Sequence, residues 1–310
     1  GTMKELVLIL RSEVRDMFAS PSGSVCLAAL SAVLGAGFYL ALAGFGEVAA
    51  TATVVRNPDV FTVSVNYLFV PAFNNAYHVF MLLFPVIVTR ICFRDNGSGR
   101  LNYLGQICGQ GRLFAAKCIT AAWYLFAAII LSLPAVYYWI MLGGQVSAPG
   151  LALLSAGFIL LGMLAIAVSC AASSLSRNYT VASGIAVLVM AMLLYPGLLA
   201  EACGLAPCGA VSSIVSIVAQ LEDGLFPVGP FAITASAASG LILLSYCVYA
   251  NGRHDRSRVY IKASVIAVFI GVLLAAAGMT GILDKTYSVR NKGPVPGVTT
   301  LYEKGTKIFG

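Results

Sequence analysis

The chain has 310 residues, of which 59% are hydrophobic and only 10% charged, and its mean hydropathy is +0.90. Soluble domains carry about 25% charged residues, so this composition excludes a soluble enzyme, a nucleic-acid-binding module and a disordered chain, and leaves an all-α polytopic membrane protein. The net charge of +7, from 19 Lys+Arg against 12 Asp+Glu, therefore reports orientation in a lipid bilayer rather than a nucleic-acid partner, because Lys and Arg resist translocation.

Gly1-Thr2 precede Met3 and read as a cloning remnant. Residues 3–23 are expected to form a cytoplasmic interfacial helix and its exit turn. Leu6, Leu10, Val14 and Met17 or Phe18 recur at helical spacing, while Lys4, Arg11 and Arg15 share the other side. That pattern suits a helix lying along lipid headgroups. Ser20-Pro21-Ser22-Gly23 then turns the chain into the membrane.

Seven apolar stretches follow, at about 24–44, 76–93, 113–142, 151–175, 179–200, 228–250 and 260–281. Each approaches or exceeds the roughly 20 residues a spanning helix needs. No ionised side chain lies between Lys117 and Arg177, and the Gly143-Gly144 and Pro149-Gly150 breakers split that run into a helical hairpin. The first six stretches make a core at 24–250. A linker at 251–259, the seventh span at 260–281 and an extracytoplasmic tail at 282–310 complete the expected organisation.

The basic residues set the sides. Lys4, Arg11, Arg15, Arg90, Arg94, Arg100, Arg112, Lys117, Arg177, Arg253, Arg256, Arg258 and Lys262 fall before span one or between alternate spans. That side reads as cytoplasmic and includes the N-terminus. Lys117 and Lys262, near cytoplasmic helix ends, are expected to snorkel to the interface. The tail carries Lys285, Arg290, Lys292, Lys304 and Lys307, and it lies outside only if the seventh stretch spans.

The outer loop at 201–227 contains Cys203, Pro207, Cys208 and the apolar run Val211–Ala219, which is too short to cross. It reads as one or two short helices dipping into the outer leaflet. Cys203 and Cys208 could pair there in an oxidising compartment or stay free. The other six cysteines (Cys26, Cys92, Cys108, Cys118, Cys170 and Cys247) are scattered through the spans and read as small buried hydrophobes. Gly35 and Gly37 read as points of close helix packing. The two histidines, His78 and His254, assemble no zinc motif, and no GxxxxGK[ST] phosphate loop occurs. The spans hold almost no buried charge, which disfavours an ion-coupled carrier.

The connector between spans two and three carries the most specific signal, Arg90-Ile91-Cys92-Phe93-Arg94-Asp95-Asn96-Gly97-Ser98-Gly99-Arg100-Leu101-Asn102-Tyr103-Leu104. It resembles the coupling-helix pattern of type-2 ABC exporter permeases, roughly R-x-F-A-E-E-R-x-x-G-T-L-E-x-L-L. Arg90, Phe93, Asp95, Gly99, Leu101 and Leu104 fit, whereas Arg94, Arg100 and Asn102 replace a family acid, a threonine and a glutamate. Phe18-Ala19-Ser20-Pro21-Ser22-Gly23 is similar to the FxSPxxY entry of the gliding-motility (GldF-like) branch. Ser169 to Asn178 resembles its GLFASSLTRNQ turn. The likeness runs through residues 4–250 in order and spacing.

The resemblance implies a six-span permease core that pairs with a second permease copy, homo- or heterodimeric, in a bacterial inner membrane. It implies a separate cytoplasmic ABC ATPase subunit, carrying ATP and Mg, docked on the coupling segment at 94–105. Arg94, Asp95, Asn96, Gly97, Gly99, Leu101 and Leu104 would make that contact. The chain itself would hold no cofactor and perform no catalysis. Leu283 to Phe309 faintly resembles the start of the family's periplasmic partner, which implies an extracytoplasmic accessory domain. A non-transporting anchor or assembly factor, and a secondary transporter, are the alternative readings.

Overall fold

Ser20 breaks the chain between its first two helices. Its hydroxyl donates to Met17 O at 2.7 Å and accepts the Gly23 N–H at 3.2 Å, while Pro21 pre-sets the backbone for a new helix. A Cβ at Gly23 would overlap the Met17 carbonyl, so the turn closes only around a glycine. The expected exit turn is therefore present, between α1 (Thr2–Ala19) and α2 (Pro21–Ala50).

The computed structural model describes residues 2–50, 65, 68–93, 109–176, 178–195, 213–250 and 286–288, and these are almost wholly helical. After α2 come α3 (Val70–Phe93), α4 (Gln110–Ile130), α5 (Leu133–Met141), α6 (Ala148–Leu175), α7 (Tyr179–Leu194) and α8 (Ser213–Glu222). The short strand β1 (Leu225–Pro227), α9 (Val228–Ala250) and β2 (Thr286–Ser288) follow. The linker, the seventh apolar stretch and most of the tail lie outside the described residues.

Among the described residues, five helical segments are long and apolar enough to cross a bilayer: Pro21–Phe45, Val70–Phe93, Gly111–Met141, Ala148–Leu175 and Val228–Val248. The protein is thus an all-α, multi-pass membrane protein. Three boundaries differ from expectation. Helix α3 starts at Val70 rather than near residue 76, because Pro71 suits a first helical turn and Asn74 and Asn75 are taken into the helix. The long third stretch breaks at Leu131-Ser132, where Pro134 offers no N–H to Ile130. The fifth stretch stops at Leu194 after 16 residues, about 24 Å of helix, short of a hydrocarbon core of about 30 Å. Tyr195 precedes Pro196, which pushes it out of the helical region, and it adopts φ −129°, ψ 56°.

Helices α3 and α6 form the centre. Helix α6 packs on α3, α4, α7, α8 and α9, and α3 packs on α2 and α7. Lipid tails are as apolar as leucine, so close packing rather than water exclusion joins such helices. An aromatic column shows it, with Tyr77 stacked on Phe158 at 4.0 Å and Phe84 parallel to Tyr124 at 6.2 Å. Gly37 is a close-approach point as expected, since a Cβ there would strike the Ala72 backbone oxygen of α3. Gly35 is not: nothing lies within 4 Å of its Cβ position.

The helices alternate in direction, so the end of the bundle that the basic residues mark is physically one end. Contacts between the α2 start and the α3 end (Ser22, Arg90), the α3 end and α7 start (Phe93, Tyr179), and the α4 start and α9 end (Phe114, Tyr246) all lie there. At the far end β1 pairs antiparallel with β2, in the register Leu225↔Ser288, Phe226↔Tyr287 and Pro227↔Thr286.

Candidate functional site: the junction at the basic end

The seven residues of the coupling resemblance (Arg94, Asp95, Asn96, Gly97, Gly99, Leu101 and Leu104) and the pair Cys203 and Cys208 lie outside the described residues. The two feet of the coupling connector are described. Helix α3 delivers the chain at Phe93, and Gly109 returns it to α4 with φ 80°.

The first foot is braced by a side chain the sequence reading placed elsewhere. Lys117 does not snorkel. It is 1% exposed and donates from Nζ to Ile91 O at 2.6 Å. Ile91 lies in the last turn of α3, where carbonyls have no intrahelical partner and a cation is favoured by the helix dipole. Lys117 sits inside because α4 begins below the end of α3, which puts its eighth residue level with Ile91. Glu13 of α1 is also 1% exposed, and both groups lie near enough to act electrostatically on Cys92. Phe93 meets Tyr179 of α7 edge to face at 6.2 Å, and the Arg90 guanidinium donates to Ser22 Oγ of α2.

The second foot is pinned to α9. Phe114 meets the Tyr246 ring at 6.0 Å, and Gly111 lies where any Cβ would overlap that same ring. The two feet are thus tied to different helices, α7 and α9, and both to the α1–α3–α4 core. A force on the connector would reach α3, α4, α7 and α9 at once.

Three cysteines that look scattered in sequence converge beside Lys117. Cys118 and Cys170 face each other across α4 and α6 with sulfurs 3.8 Å apart, and Cys92 of α3 is near enough to act on Cys170. Among the described residues no group of three His, Cys, Asp or Glu stands at metal-holding distances. The Glu13 burial had a legible signal: it lies three residues after Leu10 and four before Met17, on the apolar stripe. The thiol convergence had none, since it depends on the relative depth of three helices.

Elsewhere, His78 lies within α3, its Nδ1 2.8 Å from Asn74 O. An apolar groove of about 600 Å³ opens sideways between α2 and α3, lined by Ala36, Gly37, Leu40, Gly44, Pro71 and Ala72. At the far end, burial first and Asp223 second push the Glu222 carboxyl up to about 7. Its Oε1 has no hydrogen-bond partner among the described residues.

Comparison of the chain with protein families, with curated proteins and with solved structures returned no match.

Proposed function

We propose that this chain is the transmembrane permease subunit of an ATP-driven exporter, and that a separate cytoplasmic ATPase pushes on the connector at 94–105. The observation that carries this reading is the bracing of both connector feet. Lys117 caps the outgoing helix, and Phe93–Tyr179 and Phe114–Tyr246 tie the two feet to separate helices. A plain solvated loop needs no buried lysine at its root. Burying an ammonium costs several kcal/mol (about 3–5 when a partner is lost), so such a group marks a junction whose geometry matters. Arg94, Asp95, Gly97, Gly99 and Leu101 would meet the ATPase, with Asn96 and Leu104 completing the docking face. ATP and Mg would belong to that partner, and a second permease copy would complete the path.

The same reading includes a seventh crossing. Helix α9 ends at Ala250, at the basic end, yet β2 lies against β1 at the opposite end, where α9 begins. Helix α9 has 23 residues, about 34 Å of rise. A crossing by the apolar stretch 260–281, about 22 residues and so long enough to span, would join these two ends. The tail would then be extracytoplasmic and the N-terminus cytoplasmic.

The buried polar side chains Thr89, Thr120, Ser169 and Ser245 bond their own helices, an arrangement that a non-transporting anchor would share. The experiment that separates the readings is Leu101→Asp in a reconstituted complex. The exporter reading expects ATP hydrolysis to continue while transport falls at least tenfold and the complex still assembles. Unchanged transport would overturn the assignment of the connector.

A further inference from the structure

The thiols beside Lys117 are arranged for one specific covalent step. Cys118 is half-buried, whereas Cys170 and Cys92 are 2% and 7% exposed. The one thiol of the three that is not fully buried therefore has its sulfur 3.8 Å from a sealed one on a different helix. A disulfide needs about 2.05 Å between sulfurs and Cβ atoms about 3.5–4.5 Å apart, so rotation of one or both side chains brings the pair within bonding reach. Helices α4 and α6 pack directly on each other here, as the Gly162 backbone against Leu125 shows.

We propose that Cys118 and Cys170 form an oxidation site for hydroperoxides, closing to a reversible disulfide between α4 and α6. In the first step the Cys118 sulfur attacks the O–O bond. Cys118 becomes a sulfenic acid and the hydroperoxide leaves as water or an alcohol. In the second step the Cys170 sulfur displaces that hydroxyl as water, and the S–S bond forms. Two thiols have then lost two electrons, which the hydroperoxide has taken. The pair lies one residue beyond Lys117, so the cross-link would fasten α4 to α6 at the root of the connector. The site itself needs no exporter. Only its effect on transport rests on the proposed function.

The test uses the full chain in membranes, with Cys203 and Cys208 replaced by serine to remove their contribution. Hydrogen peroxide is added, residual thiols are tagged after denaturation, and cross-linked peptides are mapped by mass spectrometry. The expected result is a loss of tagged thiols in pairs, a Cys118–Cys170 peptide, and full recovery with dithiothreitol. C170S should instead leave a sulfenic acid on Cys118 that dimedone traps, and C118S should lose no thiols. Loss of thiols one at a time in the parent, or the same loss in C118S as in the parent, would overturn the proposal. C118S alters a half-exposed position and keeps the test decisive should C170S fail to fold. Formation of the cross-link without any change in ATP-driven transport would keep the site and count against the connector reading.

Discussion

The two ends of the bundle hold their helices by different means. At the basic end the ring contacts Phe93–Tyr179 and Phe114–Tyr246 are joined by polar or ionised fastenings: Lys117 on the Ile91 carbonyl, Arg90 on Ser22, and Cys118 against Cys170, with Glu13 buried as well. At the far end they are rings and capped turns: Phe45 edge-on to Trp139 at 5.4 Å, Trp139 Nε1 donating to Gln145 O, and Ser147 capping α6 through the Gly150 N–H. Aromatic packing is the cheaper solution in a membrane, because it buries no charge. A charged solution retained at one end therefore points to a demand beyond cohesion, and that end carries the connector.

The largest effect should come from removing the cation. Lys117→Met leaves the α3 terminus uncapped and Glu13 buried without that charge nearby, and should lower unfolding stability by about 3 kcal/mol. Denaturation of the detergent-solubilised protein would measure it. A loss below that of Trp139→Phe would break the contrast between the ends. Next, Gly37→Ala should force α2 off the Ala72 backbone at a cost of about 1–3 kcal/mol. Gly35→Ala, which meets open space, should be neutral or slightly stabilising. Trp139→Phe keeps a six-membered ring but loses the buried pyrrole part of the indole and its hydrogen bond, at a cost of about 1–2 kcal/mol.

The smallest effect is on pH dependence and belongs to the far end. Glu222 is raised to about 7 from 4.5, so between those values the folded chain holds a proton that the unfolded chain releases. This contribution is fully present below about 4.5 and falls away as pH rises through 7. Glu222→Gln should flatten that part of the stability profile. Partial exposure screens the carboxyl, so the change should be modest in size.

The sequence made the helices legible where composition alone decides them. The first apolar stretch, the second, the hairpin at 113–175 and the helix at 228–250 appear in their expected order, and the basic residues marked one physical end. What stayed hidden depends on register between helices. Lys117 looked like a snorkelling residue because its helix end was counted from its own sequence, not from the neighbour it overshoots. Gly35 and Gly37 look equivalent in a string, yet only one faces α3. Cys118 and Cys170 meet because the antiparallel helices α4 and α6 bring them to one depth, and no spacing within a single chain segment encodes that. The coupling residues from Arg94 to Leu104 were read from a resemblance, and their feet, not the residues themselves, are what the structure describes.

The central claim is that the basic-end junction serves a cytoplasmic ATPase. Its most direct test is recovery of the chain from its native membrane in mild detergent, with identification of what accompanies it by mass spectrometry. The account predicts a stoichiometric soluble ATPase bearing the phosphate loop that this chain lacks. Intact, correctly inserted chain recovered without any such partner would contradict it.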